Sequence, residues 1–376
     1  MFSRLRVLEL ASVLAGPSVG QFFAELGAEV IKVENPSTGG DVTRSWKTSG
    51  ENTDDRSAYF CACNWGKKSI ALDLTLETNR VVLRKLAAQS DIVVASYKPG
   101  DAAKLGVDYT SLSAENPALI YGQITGYGSE DERTGYDAVV QAESGFMDLN
   151  GEAGGPPTKM PVALIDVLAA HQLKEGLLLA LLRREETGKG DFTEVSLIQT
   201  AIASLVNQAT NWLVAGKMLS RQGSAHPNIA PYGDSFETLD NKRLILAIGS
   251  DRQFKDLLSV LKVHRDPNLE TDRYSTNQRR VENRVVLNQL LASAIRLQDS
   301  VSLLVTLRQR KIPAGIIHTI QETFELPQAN ELLLHDEGLI GVRGFVARST
   351  MTDAVRLSAP PHLGEHTHQI LSWLKG

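Results

Sequence analysis

The sequence predicts an α/β protein, in which helices cover a parallel sheet and a smaller α+β region is inserted. Three observations predict this fold. A strand, a glycine turn, a helix and a second strand follow one another within residues 5–33. The alternation of strands and helices recurs up to residue 125, and a helix-rich region with one short strand begins at residue 243. Since parallel strands need a crossover connection, usually a helix, the first two observations indicate a parallel sheet.

The first βαβ unit is the clearest of these patterns. Leu5–Leu10 and Ala28–Val33 are predicted as its two strands. Between them, Pro17 follows a glycine and is placed to be the first residue of a helix. Val19–Leu26 has apolar residues at helical spacing, and Gly27 is suited to end that helix.

The alternation continues in the residues that follow. We predict a helix over Glu77–Gln89 and strands over the segments Ser69–Leu74, Asp91–Ala95 and Leu119–Thr125. The next stretch, Gly151–Pro161, is too rich in glycine and proline to be regular, so we expect a loop there.

One very apolar helix dominates the middle of the chain. Val162–Arg184 is predicted to be helical and buried on most sides. A strand over Glu194–Leu197 and a helix over Thr200–Val214 follow it, and Gly223–Gly233 resembles a loop.

The remaining part of the chain has a different pattern. Arg243–Ile248 is predicted as a strand, followed by helices near Gln253–Leu261, Gln278–Leu297 and Ser300–Arg310. Three helices packed on a small sheet would form a separate domain. After Pro313 the chain returns to strand patterns and ends in a short helix.

Composition excludes several classes of protein. The 376 residues are 42% hydrophobic and 22% charged, with a formal net charge of −5, which argues against a dedicated nucleic-acid binder. No apolar run of 18 residues is present, so no membrane association is expected. The only two cysteines, Cys61 and Cys63, indicate a reduced compartment, and we expect a cytoplasmic protein in which both pack in the core.

Two kinds of bound group are disfavoured by the motifs. The turn from Ala15 to Gly20 lacks glycines of the dinucleotide fingerprint, although Glu34 stands where a ribose-binding acid would be. His366 and His368 lie near Glu365, but their spacing matches no reliable ligand set. We therefore expect neither bound NAD nor a metal ion.

Asp166 is the carboxylate of greatest interest, because it lies at the start of the very apolar helix. It could cap that helix by accepting hydrogen bonds from first-turn amides. It could also be a nucleophile that the helix dipole keeps ionised inside a water-poor pocket. One carboxylate can do both. His171, five residues further on, is expected to be a packing residue.

A group of basic residues lies near the expected ends of the strands. It comprises Arg44, Lys67, Lys68, Lys98 and Lys104. Ligands of open parallel sheets bind at that edge, and a cluster of cations suits a phosphorylated ligand. Ordinary solvated lysines remain the alternative for each of them.

A series of motifs, taken in order, carries a resemblance to a known family. They are L-A-G-P at Leu14, L-G-A-E-V-I-K-V-E at Leu26, Gly40-Asp41 with Arg44, N-W-G-K-K-S-I-A-L-D at Asn64, S-Y-K-P-G at Ser96, G-Y-D-A-V-V-Q-A at Gly135, H-P-N at His226 and P-P-H-L-G-E-H-T at Pro360. Together these resemble the class III coenzyme A transferases, which include formyl-CoA and carnitine CoA-transferases. The similarity extends from about Leu5 to Leu371.

The resemblance implies a fold. Members of this family form an interlocked homodimer of two ring-like chains, each with a Rossmann-like large domain and a small domain. Here the large domain would comprise residues 1–220 and 321–376, and the small α+β domain residues 225–320.

The resemblance also implies a reaction and its residues. Asp166 stands where the family has its catalytic aspartate, which moves coenzyme A from an acyl-CoA to a free carboxylic acid through an aspartyl anhydride and an aspartyl-CoA thioester. No metal or permanently bound cofactor is needed; coenzyme A is a substrate. The expected coenzyme A contacts are Val13, Leu14, Ala15, Arg44, Leu72, Ser96, Tyr97, Lys98, Lys104, Leu105 and Tyr127. Lys104 replaces an arginine of the family and lacks the bidentate fork for a phosphate.

The sequence offers two alternative functions. The α-methylacyl-CoA racemases of the same superfamily carry a histidine where this chain has Tyr136, and a neutral tyrosine is a poor acid or base there. A non-catalytic coenzyme A-binding protein is the third alternative, against which Asp166 in its apolar setting argues. The sequence does not identify the two carboxylic acids, although the missing glycine loop of formyl-CoA transferase disfavours formate and oxalate.

Overall fold

The computed structural model describes residues 2–263, 267–269, 272–350 and 355–375. Its strands are β1 (Arg6–Leu10), β2 (Glu29–Glu34), β3 (Lys67–Ala71), β4 (Ile92–Ala95), β5 (Ile120–Thr125), β6 (Asp191–Ser196), β7 (Tyr232–Glu237), β8 (Arg243–Ala247), β9 (Ala314–Ile316), β10 (Leu333–Asp336) and β11 (Leu339–Val342). Its helices are α1 (Ala15–Glu25), α2 (Ala58–Cys61), α3 (Glu77–Ala88), α4 (Asp101–Leu105), α5 (Tyr109–Ser113), α6 (Asp137–Glu143), α7 (Phe146–Leu149), α8 (Leu164–Thr187), α9 (Leu197–Ser204), α10 (Val206–Leu213), α11 (Asp251–Val260), α12 (Asn277–Glu282), α13 (Arg284–Ile295), α14 (Ser300–Gln309), α15 (Ile320–Phe324), α16 (Pro327–Asn330) and α17 (Thr367–Trp373).

A six-stranded parallel sheet organises the larger part of the molecule. Its strand order is β3-β2-β1-β4-β5-β6, and every neighbouring pair is parallel. The order reverses between β1 and β4, so the loops after these two strands diverge to opposite sides of the sheet. Such a switch point leaves a crevice at the carboxyl ends of the strands, where α/β proteins bind their ligands. The α/β class predicted from the sequence is confirmed.

Two apolar cores cover the two faces of this sheet. One contains Phe23 of α1 and Leu173 of α8 against strand residues such as Val94. The other contains Leu83 and Leu86 of α3 against residues such as Val93. Because successive side chains of a strand point to opposite faces, Val93 and Val94 belong to different cores.

Several sequence-based expectations for single elements are corrected. Helix α1 starts at Ala15, two residues before Pro17. Proline is tolerated there because the backbone amides of a helix's first turn have no hydrogen-bond partner within the helix. The helix expected over Thr200–Val214 is two helices, α9 and α10, which break at Val206 with φ of +41°. The helix expected over Gln278–Leu297 is also divided, at Asn283.

The apolar helix α8 is buried along one stripe rather than on most sides. Its buried residues recur at helical spacing, as Ala169, Leu173 and Leu177 do, whereas Leu179 and Leu182 are exposed. The helix ends at Gly188, whose left-handed conformation satisfies a terminal carbonyl group of the helix.

The chain divides into two compact units. The first comprises residues 1–146, 159–206 and 330–376 and contains the parallel sheet and the β10-β11 hairpin. The second comprises residues 147–158 and 207–329 and has the antiparallel sheet β7-β8-β9 with its own apolar core, formed with α11, α13 and α14. The domain ranges expected from the sequence, residues 1–220 with 321–376 and residues 225–320, stay a prediction.

Within the first unit, a C-terminal segment covers the outer edge of the sheet. The Gly66 amide donates to the carbonyl oxygen of Ser358 (3.0 Å), and the Ala71 amide donates to Oγ1 of Thr367 (3.0 Å). His366 exchanges two hydrogen bonds with the backbone of Ser69, one through its amide and one through Nδ1. The backbone of β3 is therefore paired on both sides.

Within the described ranges, no single helix is both long enough and apolar enough to cross a membrane. Helices α13 and α14, which are sharply bent relative to each other, meet the length and apolarity criteria only when they are counted together, and only by length and composition.

Candidate active site

Asp166 is the third residue of α8 and is buried, with 8% of its surface exposed. The residue before the helix is Ala163, which has no capping side chain. The first-turn amide of Ile165 donates instead to Oδ1 of Asp137 (2.8 Å). The hypothesis that Asp166 caps its own helix is therefore wrong, because Asp137, 28 residues earlier, already accepts that amide.

Asp137 is fixed by a short chain of hydrogen bonds. Its Oδ2 accepts from Nε2 of Gln141 (2.7 Å), one turn further along α6. Oε1 of Gln141 in turn accepts from the amide of Met160 (2.9 Å). Asp137 thus joins α6, the loop before α8 and the start of α8, and it keeps its charge close to Asp166.

The Asp166 carboxyl group is the most perturbed carboxyl group of the site. Burial and, second, the negative charge of Asp137 raise its pKa from 3.8 to about 7. Among the described residues, no hydrogen bond reaches its oxygens that would favour the charged form. Burial and the neighbouring charge thus oppose the ionised form that the helix dipole was expected to favour. At neutral pH the group is poised between its two forms.

A cavity of about 290 Å³ opens beside Asp166. It is lined by residues that follow the carboxyl ends of four strands and by the loop before α6: Ser12, Val13, Ala15, Gly16, Ser96, Tyr97, Lys98, Pro99, Ile124, Thr125, Gly126, Arg133, Thr134, Gly135, Tyr136, Asp137, Asp166 and Leu197. Of the predicted site residues, the structure thus brings together Asp166, Val13, Ala15, Ser96, Tyr97 and Lys98. The cavity lies at the switch point between β1 and β4, where the strand order predicts a ligand.

A second cavity adjoins the first and shares Ser12, Ser96 and Tyr97 with it. It is about 180 Å³ and continues past the end of β2 to Asn35 and Gly40. The two together form an elongated space along the edge of the sheet. Such a space suits a long ligand with its reactive end near Asp166.

The turn between β1 and α1 brings the backbone close to both cavities. A Cβ atom at Gly16 would lie only 2.4 Å from Cβ of Ala11, so only glycine fits there. The Ser12 amide donates to Oγ of Ser96 (3.3 Å), which ties the loops after β1 and β4 together across the switch point.

Other predicted contacts lie elsewhere. Arg44 is buried and forms a bidentate ion pair with Glu34, with Nε and Nη2 at 2.8 and 2.7 Å from its oxygens. Its Nη1 donates to Asp55 and its Nη2 also donates to the Pro361 carbonyl oxygen (3.0 Å), so the guanidinium group is occupied inside the protein. Its proposed phosphate contact is corrected: Arg44 joins β2 to the C-terminal segment.

The remaining contacts are spread over the same unit. Leu72 and Leu105 pack in the core around α3 and α4. Lys104 is exposed, with 76% of its side chain accessible, and pairs with Asp101. Tyr127 packs against the core on the other face. Leu14 lines a separate cavity.

The burial of four further residues bears on three expectations. Lys67 is fully buried and pairs with Glu9, so it is not a surface cation for a phosphate. Cys61 and Cys63 are buried free thiols, as predicted, and burial raises their pKa values to about 11 and about 12. His171 is exposed on α8 rather than packed in the core.

Arg133 was missed from the sequence, although it lines the cavity. It belongs to a loop whose two ends, Gly126 and Gly135, are in close backbone contact. A Cβ atom at Gly126 would lie only 2.6 Å from the Gly135 nitrogen. Its guanidinium group stacks 3.8 Å above the ring of Tyr127 and pairs with Asp131 at 2.8 Å. The two glycines were the available signal.

Tyr59 of α2 is a second residue that the sequence did not single out. Burial and then the negative charge of Asp166 raise the pKa of its hydroxyl group. Its ring contacts Trp46 edge to face, with 5.2 Å between the ring centroids. Tyr59 is therefore a neutral aromatic neighbour of the carboxyl group.

One group of side chains among the described residues has metal-ligand character, formed by the exposed Asp54, Asp55 and His362. Each already has a partner: Asp54 pairs with Arg56, and the Asp55 carboxylate contacts Nδ1 of His362. None of these residues lines the cavity beside Asp166.

Fold and cavity together define an α/β protein with a ligand crevice at the switch point of a parallel sheet and a buried carboxyl group as its distinctive chemical element. The chain belongs to CoA-transferase family III, whose family model matches residues 2–367. The resemblance stated from the motifs is thereby confirmed.

Named relatives agree with this family. The chain is 38% identical to the succinate–glutarate CoA-transferase of Agrobacterium fabrum, over 99% of this chain and 95% of that one. It is 35% identical to the succinyl-CoA:glutarate CoA-transferase of Mus musculus, over 98% of this chain and 85% of the other. A crystal structure of a CaiB/BaiF family protein from Brucella suis superposes with a TM-score of 0.87 at 39% identity, covering 98% of both chains. The predicted function, a CoA-transferase acting on an acyl-CoA and a carboxylate, is confirmed, and the racemase alternative receives no support.

Proposed function

We propose that this CoA-transferase uses the carboxylate of Asp166 as its nucleophile and that both of its carboxylic acids are dicarboxylic. The observation that carries the first part is the placement of Asp166. It is a buried carboxyl group at the start of α8, bordering the cavity and free of hydrogen bonds from the described residues that would hold its oxygens away from a substrate.

The reaction proceeds in balanced steps. An oxygen of Asp166 attacks the thioester carbonyl carbon, the C–S bond breaks, and coenzyme A leaves as a thiolate while a mixed anhydride forms. The thiolate then attacks Cγ of Asp166, which releases the donor acid as a carboxylate and leaves an aspartyl-CoA thioester. The acceptor carboxylate repeats both steps in reverse order and departs as its own CoA ester, which restores the Asp166 carboxylate.

The raised pKa of Asp166 serves this chemistry. A more basic carboxylate is a better nucleophile, and a pKa of about 7 still leaves about half of it ionised at neutral pH. Burial supplies most of this effect, and the charge of Asp137 adds to it. Exclusion of water also protects the anhydride and thioester from hydrolysis.

Arg133 supports the dicarboxylic substrates. A planar guanidinium group binds a carboxylate through two parallel hydrogen bonds, and Arg133 borders the same cavity as the nucleophile. Its Nε and Nη2 already pair with Asp131 and its Nη1 lies 3.4 Å from Glu143, so a substrate carboxylate would accept from the remaining N–H groups of Nη1 and Nη2. The stacking on Tyr127 fixes its plane. The names of the relatives, with succinate and glutarate, favour the same class of acid.

Coenzyme A would occupy the two adjoining cavities. Ser96 and Tyr97, which line both, would contact the pantetheine, and the exposed Lys98 and Lys104 would contact the phosphates. Arg44 is left out of this set because its donors are occupied. A homodimer, a cytoplasmic location and the lack of a permanently bound cofactor also belong to the proposal.

The nucleophile is tested with Asp166→Asn, which preserves shape and removes the attacking oxygen. We expect wild type treated with succinyl-CoA and then hydroxylamine to carry its modification on the peptide with Asp166, seen by mass spectrometry. Transfer to glutarate should be lost in the variant, whereas Asp148→Asn, at an exposed position outside the cavity, should retain it. Native-rate transfer by Asp166→Asn would refute the assignment.

The substrate class is tested with Arg133→Gln. We expect the KM for glutarate to rise by about tenfold or more, because a charge-assisted bidentate contact is lost. The KM for butyrate, which has no second carboxylate, should not change. Equal effects on both acids would contradict a role of Arg133 in binding the distal carboxylate.

A further inference from the structure

The loop after β1 is held by side chains of neighbouring segments, three of which, Lys32, Asp41 and Ser96, also line the second cavity. The contacts are Lys32 Nζ to the Ala11 carbonyl oxygen (2.8 Å), the Ser12 amide to Ser96 Oγ (3.3 Å), the Val13 amide to Asp41 Oδ1 (3.3 Å) and Cys63 Sγ to the Val13 carbonyl oxygen (3.6 Å). Both backbone groups of Val13 are thereby bonded to the protein interior, and Val13 itself lines the cavity beside Asp166.

Val13 has an unfavourable backbone conformation. Its φ is +72°, in the left-handed region that β-branched residues rarely adopt. Such a conformation persists only where the surrounding structure enforces it, and it is common at functional sites. The hydrogen bond from the Val13 amide to Asp41 is a direct restraint of this kind.

Asp41 is itself anchored by buried charges. Lys32 Nζ lies 2.8 Å from Asp41 Oδ2 and 3.0 Å from Glu9 Oε1, and Lys67 Nζ lies 2.7 Å from Glu9 Oε2. Burial alone would raise the pKa of Asp41, but the charge of Lys32 and hydrogen bonds from Lys32 and Thr43 hold it below its usual value. Asp41 therefore remains a charged acceptor in the interior.

The geometry points to Asp41 as a positioning residue: held by Lys32, its carboxylate keeps Val13 in the left-handed conformation that forms the cavity wall. Asp41 does not line the cavity beside Asp166 and does not touch the reacting atoms there, but it does line the second cavity, further along the same space. The inference rests on the proposed function, since it assumes that this cavity receives the acyl-CoA. Loss of Asp41 should therefore weaken binding of acyl-CoA more than it slows the chemistry.

The experiment is a double-mutant cycle of Asp41→Ala and Val13→Gly, read as KM and kcat with succinyl-CoA and glutarate. We expect Asp41→Ala to raise the KM for succinyl-CoA on the order of tenfold, the cost of one strained residue. The kcat should change by less than about twofold, because the contact is equal in ground and transition states. With Gly at position 13, which adopts this φ freely, the same substitution should raise KM by less than about twofold.

The matched control is Asp234→Ala. Asp234 is another buried carboxylate, in the second compact unit, that accepts from the Tyr232 amide (2.9 Å) and lines none of the cavities described above. It should lower thermal stability without changing KM. If Asp41→Ala does not fold, Asp41→Asn replaces it. Its Oδ1 still accepts from the Val13 amide, so its KM for succinyl-CoA should lie between that of wild type and the roughly tenfold higher value expected when the contact is lost.

An unchanged KM in the Asp41 variant, or an equal increase with Val and with Gly at position 13, would overturn the inference. Calorimetric binding of free coenzyme A to the same four proteins gives a second measure of the coupling. If wild type binds coenzyme A but transfers none, the proposed function fails, while the binding cycle still decides the role of Asp41.

Discussion

Replacing Asp137 with Asn should lower the pKa of Asp166. The change removes a negative charge beside the nucleophile, while the new Oδ1 still accepts from the Ile165 amide. The displacement of the Asp166 pKa from 3.8 to about 7 corresponds to about 4 kcal/mol in favour of the neutral form. Burial is its larger cause and stays, so the variant should lose only the smaller part, about one pKa unit or less.

The assay is the pH dependence of kcat/KM for succinyl-CoA between pH 5 and 9, which reports ionisation in the free enzyme. Wild-type activity should rise with pH and reach half its plateau near pH 7. In Asp137→Asn this midpoint should move to lower pH. Gln141→Met is the control, because it removes the hydrogen bond to Asp137 and leaves the charge. An unmoved or higher midpoint in Asp137→Asn would refute the electrostatic reasoning, and a wild-type midpoint near 4 would refute the role of burial.

Three further predictions concern stability and assembly. Folding raises the pKa of Asp166, so the wild-type protein should lose stability as the pH rises from about 4 to above 7. Asp166→Asn should not show this loss, so its Tm should exceed that of wild type at pH 8 but not at pH 4. Lys67→Met leaves the buried Glu9 without one of its partners and should lower the free energy of unfolding, measured with urea, by about 3–5 kcal/mol. Lys68→Met breaks a half-exposed pair with Glu29 and should lower it by less than about 1 kcal/mol. The proposed homodimer predicts a single dimeric species in sedimentation at micromolar concentration, and a folded monomer would contradict it.

The sequence predicted the sheet and the position of its main carboxyl group because both depend on local patterns. Strands and helices alternate at short range, and Asp166 stands where a loop meets an apolar helix. The residue that accepts the first-turn amide of α8 could not be predicted. Asp137 lies 28 residues before Ile165, and only the packing of α6 on α8 brings the two together.

The cations show the same limit more sharply. Arg44 and Lys67 appeared as candidate phosphate contacts because charge is visible in a sequence and burial is not. The structure places both in the interior, beside Glu34 and Glu9, where they support the strands. Arg133 was overlooked for the opposite reason: its loop has no regular pattern, and its place in the cavity follows from the contact of two glycines.

The hydrogen bonds between β3 and the C-terminal segment have a consequence for synthesis of the chain. An unpaired strand edge recruits strands from other molecules, and here the edge at Ser69 and Ala71 is covered by residues near 358–367. Almost three hundred positions separate the two, as His366 and Ser69 are 297 apart. A nascent chain therefore carries this strand edge uncovered until residues 358–367 have been synthesised, and during that time the edge is open to pairing with other chains.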